Sequence, residues 1–141
     1  METMNFTINI NASKEKVWDA LWSDANYRKW TAVFSEGSYA ETDWEEGSEI
    51  RFLSPGGDGM YSIIQKKVPL EQMVFAHQGE LKNRKVENKD WAGAKEAYYL
   101  QEKNGITELK VQMDATAEFK DYFTNTFPKA LAVVKQIAEQ A

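Results

Sequence analysis

Residues 116–141, TAEFKDYFTNTFPKALAVVKQIAEQA, decide the architecture. Phe119, Phe123 and Phe127, then Ala130, Val134 and Ile137, recur at helical spacing, so the segment reads as one helix with an apolar stripe. Thr116 stands where a hydroxyl caps a first turn. About 24 residues at ~1.5 Å each make roughly 36 Å, comparable with the diameter of a domain of this size. Such a helix has to cross the whole of any sheet it packs on. Pro128 falls inside it, offers no N–H to the carbonyl of residue 124, and is expected to kink the helix.

What the helix packs on is read from the rest of the chain. Phe6, Ile8 and Ile10 alternate with Asn5, Thr7, Asn9 and Asn11, the period of a strand with one buried face. Ser13 is placed to cap a helix carrying Val17, Trp18, Leu21 and Trp22, with Glu15 in the first turn where an anion is favoured. Ser23-Asp24 interrupts it and starts a second short helix, in which Tyr27 and Trp30 lie a turn apart. From Gly37 onward the texture is strand after strand: residues 38–44, 48–53, 60–67, 72–81, 95–101 and 106–113. Turn signals separate them, the strongest being Asn104-Gly105, since both residues tolerate the positive φ of a type I′ hairpin. Residues 82–94 read as a flexible insertion. The expectation is an α+β domain: a curved seven-stranded antiparallel sheet wrapped around the C-terminal helix, with two short helices between strands one and two.

The chain has 141 residues, about one domain, so residues 1–141 are read as a single unit. Seventeen Lys and Arg against 22 Asp and Glu leave a net charge of -5 and no sustained basic run, which argues against nucleic-acid binding. No stretch approaches the roughly 18 apolar residues of a membrane span, so membrane insertion is not expected. The absence of cysteine excludes disulfides and thiolate chemistry. With no export signal visible in METMNFTINI, a cytoplasmic location is the expectation. Neither a metal nor a redox cofactor is suggested.

A curved sheet gripping one cylinder touches it least in the middle, and the design readily leaves an internal gap. Aromatic residues make up 13% of the chain, enough either to fill that gap or to wall a cavity for a greasy ligand. The aromatic candidates for such a wall are Trp30, Phe34, Phe52, Phe75, Tyr99, Phe119, Phe123 and Phe127, joined by Val111 and His77.

The stretch Ile10-Asn11-Ala12-Ser13-Lys14-Glu15-Lys16-Val17-Trp18-Asp19-Ala20-Leu21 resembles the opening of the START-like superfamily, also called the polyketide cyclase and dehydrase superfamily. Its helix-grip fold is shared with the major birch pollen allergen. Trp44-Glu45-Glu46-Gly47-Ser48-Glu49-Ile50-Arg51-Phe52 resembles its turn between the second and third strands, and Phe119 onward resembles its closing helix. The nearest group is similar to the C-terminal domain of the activator of the heat-shock-protein-90 ATPase. The resemblance implies a helix-grip domain that encloses a small hydrophobic molecule as carrier or sensor, while some relatives are cyclases, dehydratases or hydrolases. A chaperone-associated protein-interaction domain is a further alternative that the resemblance offers, but chaperone activation itself is not inferred from it, because the additional N-terminal domain that such activators carry is not expected in this chain. An exposed sheet edge leaves a homodimer open.

His77 is the lone histidine and the weak catalytic candidate. If Met73 and Phe75 face inward, so does His77, either as a cavity base or as a structural histidine bonded to a neighbour. Catalysis would need a second group, with Glu41, Asp43 and Tyr99 the options if their faces agree. Gly56, Gly57 and Gly59 read as turn residues, because a phosphate cradle would lead into a helix and here a strand follows. Asp43, Glu45 and Glu46 read as a solvated acidic rim. Trp91 stands alone in a polar connection, expected to pack over the sheet edge or to meet a partner.

Overall fold

The computed structural model describes residues 1–141 and runs β1 (Glu2–Ile10), α1 (Lys14–Trp22), α2 (Asp24–Thr31), β2 (Tyr39–Glu41), β3 (Glu49–Leu53), β4 (Gly59–Val68), β5 (Gln72–Lys82), β6 (Lys85–Asn88), β7 (Lys95–Lys103), β8 (Ile106–Ala115) and α3 (Ala117–Gln140). One antiparallel sheet orders the strands β1-β8-β7-β5-β4-β3-β2, with β6 paired to the far end of β5. The result is the helix-grip arrangement: a curved sheet, the C-terminal helix, and two short helices after β1.

Local chemistry accounts for the breaks. The Ser13 side chain accepts from the Lys16 N–H at 3.3 Å and that of Ser23 from the Asn26 N–H at 3.4 Å, so each short helix has a hydroxyl at its start. Asn104 and Gly105 take φ of 54° and 79°, as a type I′ turn requires, and fix β7 against β8 with Leu100 opposite Leu109 and Tyr98 opposite Val111. Gly56 and Gly57 have φ of 97° and 90°. Gly59 is needed for a different reason: a Cβ there would lie 1.7 Å from the Phe52 carbonyl oxygen.

The sheet has eight strands where seven are expected, because 85–88, within the segment read as flexible, pairs with β5. Its turn is Asn83-Arg84, both with positive φ, 51° and 65°. An arginine is ill suited to that region. Here its guanidinium forks onto Glu41, at 2.8 and 3.1 Å, and reaches the Tyr39 hydroxyl at 3.2 Å.

Helix α3 is continuous through Pro128, where a kink is expected; Pro128 and Thr124, whose carbonyl loses its N–H partner there, are both exposed residues. The helix differs along its length. Phe127, Ala130, Leu131, Val134 and Ala138 are buried, yet none of residues 117–126 is. The packed half closes over Ile10, Val17, Leu21 and Leu109, all fully buried. Register shifts between Tyr61 and Ser62 and between Ile64 and Lys66 bend β4 and β5 where they face the other half.

Candidate functional site: a cavity beneath the first half of the closing helix

A cavity of about 430 Å³ lies between residues 117–127 and the bent part of the sheet, and 19 of its 30 lining residues are hydrophobic. Phe52, Phe75, Met60 and Met113 come from the sheet, Trp22, Tyr27, Trp30 and Phe34 from α1, α2 and the turn beyond, and Phe119, Tyr122, Phe123 and Phe127 from α3. Phe127 is the divider: it stacks on Phe6 at 5.0 Å and meets Phe34 edge-on at 4.9 Å. Beyond it Phe119 and Tyr122, each 45% exposed, stand at the mouth.

One polar group of residues is set into this wall. His77 is buried and lines the cavity; its Nδ1 is 2.6 Å from Ser62 Oγ and its Nε2 is 3.0 Å from Glu96 Oε1. Glu96 Oε2 in turn accepts from the Tyr98 hydroxyl. Strand pairing explains the meeting, since Ser62 lies opposite His77 and Glu96 opposite Phe75, and partners across antiparallel strands share a face. With Glu96 as acceptor, the proton is assigned to Nε2, and Nδ1 accepts from Ser62. Burial, and behind it the Glu96 carboxylate, push the Tyr98 phenol well above its ordinary range. Tyr27 is raised by the same two causes in the same order, with no hydrogen bond contributing. The Trp22 indole N–H and the Thr116 hydroxyl, both from lining residues, are buried without a partner. Thr116 thus occupies the N-cap position of α3 without capping it.

The chemistry of the relay is restricted. Ser62 is fully buried and outside the cavity lining, so its hydroxyl does not meet a molecule held there. Both ring nitrogens of His77 are engaged, and it can act as a base only by releasing Ser62. No three His, Asp or Glu side chains gather as a metal site requires. No helix is long and apolar enough to cross a membrane.

Of the ten expected wall residues, Trp30, Phe34, Phe52, Phe75, His77, Phe119, Phe123 and Phe127 line the cavity. Tyr99 does not: it pairs with Lys110 on the outer face, beside Gln72 and Lys95, while its neighbour Tyr98 points inward. Val111 is fully buried on the inner face, in the packed core rather than the lining. Glu41 is tied to Arg84 and Asp43 accepts from the Glu45 N–H, so neither orients His77. The Arg84 guanidinium lowers the Glu41 carboxyl below its usual range. Trp91 lines the cavity rather than covering the sheet edge. Sequence reasoning missed Ser62, Glu96 and Tyr98, the partners that hold His77.

Comparison with known proteins locates the chain. Its structure is similar to the Aha1 dimer from Colwellia psychrerythraea, with a TM-score of 0.78 and 23% identity over 99% of this chain and 97% of that one. It is also similar to MLL2253 from Mesorhizobium loti, with a TM-score of 0.79 and 11% identity over 99% and 98% of the two chains. A third likeness is to DynU16, a protein in the dynemicin biosynthetic locus, with a TM-score of 0.75 and 12% identity over 99% of this chain but 48% of that one. No curated protein matches the sequence. The family described as activator of Hsp90 ATPase homolog 1-like protein matches residues 11–137, nearly the whole chain, and the protein belongs to that family.

Proposed function

We propose that this protein binds a small, largely apolar molecule in the cavity beneath residues 117–127 and acts as a non-catalytic carrier or sensor. The observation that carries this reading is the cavity itself: a half-open space of about 430 Å³, walled mainly by apolar and aromatic side chains. That volume falls within the range of roughly 300–1,000 Å³ over which proteins enclose small molecules. A few convergent polar groups on an apolar wall fix orientation, and His77, Glu96 and Tyr98 supply them.

The same polar group of residues supports an enzymatic reading less well. A cyclase or dehydratase working through His77 needs a ring nitrogen free for its substrate, and both are occupied. The edge strands β1 and β2 leave backbone groups unpaired, and the dimeric state of the Colwellia psychrerythraea protein makes self-association of this chain a further proposal, tested by sedimentation at rising concentration.

Native mass spectrometry of the protein purified from its own cells tests the binding reading. The expected result is a reproducible mass increment that disappears on denaturation. Repeated recovery of the bare chain, together with no saturable uptake of any apolar probe, overturns it.

A further inference from the structure

The charge of the cavity wall says what kind of molecule fits it. Resting on the binding reading above, we propose that the ligand is an apolar amine whose protonated nitrogen sits against the Glu96 carboxylate, enclosed by aromatic faces. Three observations converge. No lysine or arginine lines the cavity, whereas four carboxylates do: Asp58, Glu80, Asp114 and Glu96. The first three have partners near the rim, Asp58 accepting from the Asn83 N–H, Glu80 pairing with Lys89 and Asp114 accepting from the Lys95 N–H. Glu96 alone is set deep, its side chain 19% exposed, and it faces the cavity while its two oxygens accept from His77 and Tyr98.

Each carboxylate oxygen keeps a further acceptor site after those bonds, and an ammonium group is a donor with no acceptor capacity, which matches what Glu96 has left to offer. The aromatic walls act in the same direction. The faces of tryptophan, tyrosine and phenylalanine rings are electron-rich, and an enclosure of them attracts a cation that has left water. An anion meets the opposite conditions. Set beside Glu96 it would be repelled; no lysine or arginine in the lining would compensate, and the Nε2 proton of His77 is already given to Glu96. The unpartnered Trp22 N–H and Thr116 hydroxyl are neutral dipoles, suited to orienting a ligand rather than to balancing a negative charge.

The test uses the full chain and three probes that share one ring system: naphthylethylamine, naphthylethanol and naphthylacetate, titrated at neutral pH with binding read by calorimetry. The amine is expected to bind about tenfold more tightly than the alcohol, and the carboxylate most weakly. In Glu96→Gln, which keeps the side chain's shape, the roughly tenfold advantage of the amine over the alcohol should be lost. The ranking in the unmodified protein carries the test even if the variant fails to fold. Equal affinities, or a preference for the carboxylate, overturn the assignment of an amine and leave the binding cavity standing. Failure of all three probes overturns both.

Discussion

The two ends of α3 rest on the same sheet and do different things. From Ala130 onward the helix carries Ala130, Leu131, Val134 and Ala138 inward, and with Ile10, Val17, Leu21 and Leu109 they form one buried core. Small side chains at Ala130 and Ala138 let the backbone approach closely. Over residues 117–126 nothing is buried, and Phe119, Tyr122 and Phe123 stand around a void instead. One end is therefore packed, and the other leaves open the space in which we propose that a ligand is held. Both use apolar residues, so hydrophobicity alone does not tell them apart; the difference lies in whether the facing side chains meet.

Substitutions should separate the two ends sharply. Leu131→Ala, in the filled end, should cost about 2–5 kcal/mol in urea unfolding, while a folded variant keeps its affinity for apolar probes. Raising the pH acts on the tyrosines at the hollow end. Tyr27 and Tyr98 have phenols raised by burial, so stability is intact below the unfolded value near 10 and falls as pH climbs from there toward the folded values. The slope is about 1.4 kcal/mol per pH unit for each phenol that keeps its proton only when folded. The double variant Tyr27→Phe, Tyr98→Phe should flatten that fall; an unfolding midpoint in the wild type that does not move above pH ~10 would contradict the burial argument. Ser62→Ala should cost about 1–3 kcal/mol, because it leaves Nδ1 of His77 buried without a donor. Phe119→Ala should change stability by no more than about 0.5 kcal/mol, its side chain being half in water, yet weaken probe binding several-fold. Equal stability losses at Phe119 and Leu131 would erase the distinction between the ends.

Much of this was legible in the sequence, and some of what was missed need not have been. Serine caps, the Asn104-Gly105 turn and the apolar stripe of the last helix are local signals, and each stands where it was expected. The same turn also fixes register. A two-residue loop at 104–105 puts Leu100 opposite Leu109, Tyr98 opposite Val111 and Glu96 opposite Met113. Leu109, Val111 and Met113 alternate with Lys110 and Gln112, the pattern of a strand with one buried face, so parity alone puts Glu96 and Tyr98 inside and Tyr99 outside. By contrast, Ser62 meets His77 only across a register shift between β4 and β5, which no local pattern announces. Strand β6 was hidden for a third reason: its turn sets an arginine in the left-handed region, supported by Glu41 and Tyr39 from distant sequence. The void itself depends on whether facing side chains touch, a property of packing that residue types do not encode.

Amide chemical-shift mapping during a naphthylethanol titration tests the hollow end most directly. The account predicts saturable shifts at Phe34, Phe52, Phe75, Phe123 and Phe127, with Leu21, Leu109 and Leu131 unmoved. Absence of saturation, or shifts centred on the filled end, would contradict it.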